Sequence, residues 1–388
     1  MKNQSLSQNL IHASGRGEYD IVEQLLKDGA SVHYKDADGR TALMAATQKN
    51  QVAIAKLLIK AGSNVNTRDI TQLSPFICSA ANGFHEILQL MIDAGADLKS
   101  VNRFGGTALL PSSEKGYLKT VQICLGAGVP VNHVNNLGWS ALLEAVILGN
   151  GGRLYSEIIY SLVDAGADVH LADREGKSSL KHAKELNQQK VVNILTMEYE
   201  EGNDSIKKAK SLALMDQYEE AILEIDRGLE FDSKNLDLIY YKGYFLQELK
   251  KYEAALTEFN KALTLDPKDL DFYFYTANCF RLMKKSEEAL NEYDKACNLD
   301  PTETFYRYHK SNYLRELGRH SEAVIEMDKL LALQPQRYDF SFHKANSLRS
   351  LGKHDEAIEA IENAIANDPT NPLYHLHKKQ SLELLKQK

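Results

Sequence analysis

YEEAILEI at 218–225, YEAALTEF at 252–259, SEEALNEY at 286–293, HSEAVIEM at 320–327 and HDEAIEAI at 354–361 hold one small residue at a strict interval. Ala221, Ala255, Ala289, Ala323 and Ala357 are each 34 residues apart. A second signal keeps the same step: LDPKD at 265–269, LDPTE at 299–303, LQPQR at 333–337 and NDPTN at 367–371. The residue before a proline is driven out of helical conformation, so each of these stretches ends a helix. A small residue inside a helix lets an antiparallel neighbour approach closely. The spacing predicts five helix pairs over 202–370, with NPLYHLHKKQSLELLKQK as one further helix.

Moving towards the N-terminus, the period changes to about 33. LLKDGASVHYKD, LLIKAGSNVNTRD, MIDAGADLKSVN, CLGAGVPVNHVN and LVDAGADVHLAD recur through residues 25–173. Each joins the end of an apolar helix to a glycine, Gly29, Gly62, Gly95, Gly128 or Gly166, able to take the left-handed conformation that closes a helix. Turns follow at 36–41, 102–107, 135–140 and 173–178, and Thr41, Ser74, Thr107, Ser140 and Ser178 stand where a cap hydroxyl is wanted. Pro75 follows its cap at the first helical position. Pro111 falls four residues after Thr107, where the missing N–H is either tolerated or kinks the helix.

These N-terminal units resemble the ankyrin repeat. They share its T-P-L-H-x-A-A…G-A-D-V-N pattern over residues 5–197, in about six units with caps. The motif histidine is replaced by Met44, Ile77, Leu110, Leu143 and Lys181. The C-terminal units resemble the tetratricopeptide repeat, with Ser233 in place of proline and Gly228 in place of alanine in the first. The fold class implied is all-α: two tandem helical solenoids, an ankyrin array followed by a tetratricopeptide superhelix. The organisation expected is an ankyrin domain at 1–197, a linker at 198–203 and a tetratricopeptide domain at 204–388.

The fifth ankyrin unit is longer than its neighbours, and Asn150, Gly151, Gly152, Arg153 and Leu154 have no counterpart when the units are aligned. The only tryptophan, Trp139, precedes it. NHVNNLGWSALLEAVILGNGG is similar to a bacterial ankyrin subfamily with the pattern G-W-T-A-L-L-E-A-x-x-L-G-x-G-G. An exposed aromatic beside a glycine-rich loop suits a recognition patch. The expected protein-binding face comprises Phe104, Leu137, Trp139, Glu144, Asn150, Gly151, Gly152 and Arg153. A plain insertion with a packed Trp is the bland reading.

In the tetratricopeptide family the first helix of each pair lines an inner groove. Residues spaced three and four apart share that face, and they form ladders: aromatics Tyr240, Phe274, Tyr308 and Phe342, with Tyr244; asparagines Asn278, Asn312 and Asn346; arginines Arg281, Arg315 and Arg349. An amide can donate to and accept from a peptide backbone. A guanidinium fork suits carboxylates, so these residues are the expected peptide-binding set. The same arginines could instead pair with Asp271 and Asp339.

Charge and composition narrow the function. The chain has 46 Lys and Arg against 53 Asp and Glu, a net charge of −7. Such a balance lacks the basic excess that nucleic-acid binding demands. Four cysteines, Cys78, Cys124, Cys279 and Cys297, form no metal motif and read as small buried hydrophobes. No nucleotide-binding, nucleophile-elbow or zinc-protease motif occurs, and the repeats use nearly the whole chain. The expectation is a non-catalytic, cytoplasmic adaptor without cofactor or metal, holding an extended acidic peptide in one array and a second protein on the other. Delivery into a host cell is a lesser expectation. The alternative is a small-molecule or weakly catalytic site at Trp139 and the glycine-rich insert.

Overall fold

The computed structural model describes residues 2–196, 204–335, 337–367, 369 and 372–385. The chain divides into two compact units, Met1–Tyr199 and Glu200–Lys388. The expected linker at 198–203 lies outside the described residues.

The first unit is six helix pairs: α1 (Lys2–Arg16) with α2 (Tyr19–Lys27), α3 (Ala42–Gln48) with α4 (Val52–Lys60), α5 (Pro75–Ala81) with α6 (His85–Asp93), α7 (Leu109–Glu114) with α8 (Leu118–Ala127), α9 (Ala141–Leu148) with α10 (Arg153–Asp164), and α11 (Ser179–Glu185) with α12 (Gln189–Leu195). The first helices of the four inner pairs, α3, α5, α7 and α9, are short and mostly apolar, so they form the buried layer; Leu43, Phe76, Ile77, Leu109 and Leu142 have no exposed surface. Each turn between units is organised by a side chain rather than by backbone alone. Asp36, Asp69, Asn102, Asn135 and Asp173 each accept two backbone N–H groups through Oδ1.

Capping follows the expectation at four of five positions. Thr41, Ser74, Ser140 and Ser178 accept from the N–H three residues on, while their own carbonyls accept from the N–H four residues on. In the fourth unit that last donor would belong to Pro111, which has none. The Thr107 carbonyl takes the Leu110 N–H at 3.2 Å instead, and Thr107 Oγ1 is left buried without a partner. The effect of Pro111 is a late, shortened helix of six residues.

The second unit is five further pairs and a terminal helix: α13 (Asp204–Leu214) with α14 (Tyr218–Phe231), α15 (Leu236–Glu248) with α16 (Tyr252–Leu265), α17 (Leu270–Leu282) with α18 (Ser286–Leu299), α19 (Thr304–Glu316) with α20 (His320–Leu333), α21 (Tyr338–Ser350) with α22 (His354–Asn367), then α23 (Pro372–Leu385). The five period alanines are buried at the helix crossings. Gly243 marks a closer approach still, since a Cβ there would lie 2.2 Å from the Phe259 ring. Ser233 does not cost the first pair its helix end. Asp232 takes nearly the same backbone angles after α14 as Asp266 and Asp300 do before their prolines. At Gly228, a Cβ would meet Leu238 and Ser205 at 3.0 Å, which accounts for the missing alanine.

Candidate functional site

The aromatic ladder of the second unit is a series of junctions. Each ring packs, tilted or edge-on, against the ring 35 positions later, in the first helix of the next repeat or in α23. Centroid separations are 4.8 Å for Tyr240–Tyr275, 4.9 Å for Phe274–His309, 5.9 Å for Tyr308–His343 and 5.0 Å for Phe342–His377. Tyr240, Phe274 and Phe342 are buried at these contacts, while Tyr308 and Tyr244 are partly exposed. Such ring pairs add about 0.5–1.5 kcal/mol each beyond the area they bury.

The asparagine and arginine ladders meet within each repeat. Arg281 donates to Asn278 Oδ1 at 3.3 Å, Arg315 to Asn312 at 3.1 Å and Arg349 to Asn346 at 3.3 Å. Each arginine then reaches into the next repeat, and there the three diverge. Arg281 pairs with the Glu316 carboxylate at 3.1 Å and lies over the Tyr313 ring. Arg315 Nη1 donates to His343 Nδ1 at 2.9 Å, and His343 Nε2 faces the Tyr308 hydroxyl at 3.4 Å. Arg349 donates to Gln380 Oε1 at 2.7 Å. Burial lowers the pKa of Arg315 and Arg349, and neither forms an ion pair among the described residues. Asp271 accepts instead from Tyr306 Oη, and Asp339 pairs with Arg337.

A lysine ladder passed unnoticed in the sequence. Lys242, Lys310, Lys344 and Lys378 pair with Asp226, Asp294, Asp328 and Glu362, each 16 residues earlier in the preceding second helix, at 2.6–2.9 Å. Its 34-residue step was visible at 310, 344 and 378, but the partner lies in a different repeat.

In the ankyrin unit the candidate residues form two groups at opposite ends of α9. The first is tied together by Asn135. Its Oδ1 accepts from the Leu137 and Trp139 N–H groups, and its Nδ2 donates to Glu144 Oε1 at 2.8 Å. Trp139 and Leu137 are half-exposed, and Phe104 lies under the Arg103 guanidinium at 5.1 Å. Glu144 is buried, and its Oε2 has no hydrogen-bond partner. Burial first, then the nearby Glu114 carboxyl, push its pKa well up, against the Asn135 hydrogen bond.

The second group is the insert. Asn150 Oδ1 accepts from Gly152 N, Gly151 O accepts from Ser156 Oγ, and Gln188 Nε2 donates to the Val146 and Gly149 carbonyls at 3.1 Å. Gly151 has φ +68°, as Gly116 and Asn187 have positive φ in the loops of neighbouring units. The extra length is therefore shared about this residue. From cap to Gly151 the fifth unit spans 11 positions (140 to 151) where the fourth spans 9 (107 to 116), and the other three residues lengthen α10 by about a turn. Arg153 is the first residue of α10. Among the described residues no group of three or more His, Cys, Asp or Glu is placed to hold a metal. The four cysteines are buried, and burial pushes the Cys78 and Cys124 thiols up to about 12. No described helix is long and apolar enough to cross a membrane.

Comparison with known proteins agrees with this geometry. The ankyrin repeats (3 copies) family profile matches residues 2–69 and 76–173. Tetratricopeptide repeat profiles match 236–269 and 308–372. No curated protein matches the chain. Among solved structures, an ankyrin repeat domain from Acinetobacter baumannii AYE is 43% identical, covering 49% of this chain and 96% of its own, with a TM-score of 0.48. The ankyrin repeat protein EF0377 is 33% identical over 48% of this chain and 96% of its own, at 0.47. A chain of the complex between a predatory endopeptidase from Bdellovibrio bacteriovorus and an immunity protein also matches, at 23% identity, 49% and 97% coverage and 0.44. With both sets of profiles falling on the helix pairs described above, the chain carries ankyrin repeats in its N-terminal part followed by tetratricopeptide repeats in its C-terminal part.

Proposed function

We propose that this protein is a non-catalytic adaptor whose tetratricopeptide groove binds an extended acidic peptide and whose ankyrin face binds a second protein. Both repeat types are typical protein–protein interaction modules. The observation that carries the finer reading is the row of half-buried Asn–Arg pairs recurring every 34 residues on successive first helices. Guanidinium N–H groups that remain on such a row present donors to carboxylates, and each amide keeps N–H donors for a peptide carbonyl. On the ankyrin side, Trp139, Leu137 and Phe104 are half-exposed on turns held rigid by Asn135 and Asn102, which suits anchors in a protein interface. The glycine-rich insert offers less to a small molecule, since Gln188 and Tyr155 occupy the space beside Gly151 and Gly149.

The test is fluorescence anisotropy on the full chain with labelled dodecapeptides of alternating Glu–Ser, Gln–Ser and Lys–Ser composition. The Glu–Ser peptide should bind at least tenfold more tightly than the Gln–Ser one at low ionic strength. Equal binding of all three would remove the acidic preference.

A further inference from the structure

We propose that the anion subsite of the groove lies only in its C-terminal part, at Arg315 and Arg349, and takes the carboxylates of two acidic residues of one extended peptide. This rests on the peptide-groove reading above and gives it a polarity. The three arginines look equivalent by spacing, yet their surroundings differ. Arg281 is already matched by the Glu316 carboxylate. Among the described residues Arg315 donates to Asn312 and His343 and Arg349 to Asn346 and Gln380, and neither forms an ion pair, although the Glu316 carboxylate also acts on Arg315 through space. A guanidinium held away from water beside neutral partners keeps most of its attraction for an incoming anion, whereas one already in an ion pair does not.

The two sites are also joined. His343 and Asn346 are three residues apart on α21, and so are neighbours on one helix face. Arg315 is hydrogen-bonded to the first and Arg349 to the second, which brings both guanidinium groups to one turn of α21.

The experiment titrates full-length protein into fluorescein-labelled hexaglutamate at low ionic strength, with hexaglutamine as control, using Arg281→Ala, Arg315→Ala, Arg349→Ala and Glu316→Gln. Arg315→Gln and Arg349→Gln replace either alanine variant that melts early. Losses of tenfold or more at Arg315 and Arg349, a loss under threefold at Arg281, and a severalfold gain in Glu316→Gln are expected. An Arg281 loss as large as that at Arg315 would overturn the polarity while leaving an acidic-peptide groove in place. Hexaglutamate that binds no better than hexaglutamine, or binding that no groove variant alters, would overturn both.

Discussion

Asn135 Nδ2 donates to Glu144 Oε1 at 2.8 Å across nine residues of chain, and it does so where the other units place Ala45, Cys78, Pro111 or His182. In the sixth unit the corresponding pair is Asp173 with His182, also at hydrogen-bond distance, 2.7 Å. An acid facing the turn thus goes with an amide in the turn, and a basic ring with a carboxylate.

Glu144 therefore makes stability depend on pH with a known sign. Its folded pKa lies above its unfolded one, so the folded state holds the proton more tightly. That contribution is fully present below the unfolded value, about 4.3, and is lost as pH rises through the folded value. Glu144→Gln should stabilise the ankyrin unit at pH 8 by about 1 kcal/mol and leave it little changed near pH 4. Urea denaturation at the two pH values checks this; equal shifts at both would refute it.

Pro111→Ala restores the N–H that the Thr107 carbonyl lacks and frees the Leu110 N–H for Thr107 Oγ1. A gain of about 1 kcal/mol is expected. It should be visible as slower amide exchange in the first turn of α7. A loss of stability would show that the proline is favoured for another reason.

Gly243→Ala forces a methyl against Phe259, whose ring lies 2.2 Å from the added carbon. Overpacking of this kind costs about 1–3 kcal/mol. The double variant Gly243→Ala, Phe259→Leu should recover part of the loss in a thermal melt; no recovery would place the strain elsewhere.

His309→Ala removes the ring that meets Phe274 edge-on and Phe305 at a tilt, at 4.9 and 4.4 Å between centroids. The junction between the third and fourth tetratricopeptide repeats should weaken by about 1–2 kcal/mol. Hydrogen exchange should report it in α17 and α19 before more distant helices, because repeat arrays are held by nearest-neighbour terms. Uniform acceleration across the unit would contradict that.

Both arrays were legible because their defining residues act locally. Ala221 and its copies mark a helix crossing, Pro267 and its copies a helix end, and Ser74 a cap, all inside one unit. What a side chain meets in the adjoining unit was not legible. Arg281, Arg315 and Arg349 share a spacing, but Glu316, His343 and Gln380 decide what each can do, and only the stacking register brings them together. The histidines at 309, 343 and 377 were hidden for the same reason, since their ring partners lie 35 residues earlier. The insert was placed at 150–154 by counting, whereas Gly151 anchors the loop and divides the added residues about itself. Glu144, expected on the protein-binding face, is buried, because Asn135, a turn residue, turns its side chain back over the helix to meet it.

The 35-residue ring contact has a consequence for how such a chain can change length. Each seam from the second repeat onward is cut to the same pattern, one ring offered forward and one received. A duplicated module spliced in frame would find mating faces on both sides, and a deleted one would leave its neighbours able to close the gap. Growth or loss by whole modules thus leaves each remaining seam intact, while an insertion of any other length must be absorbed inside a single module.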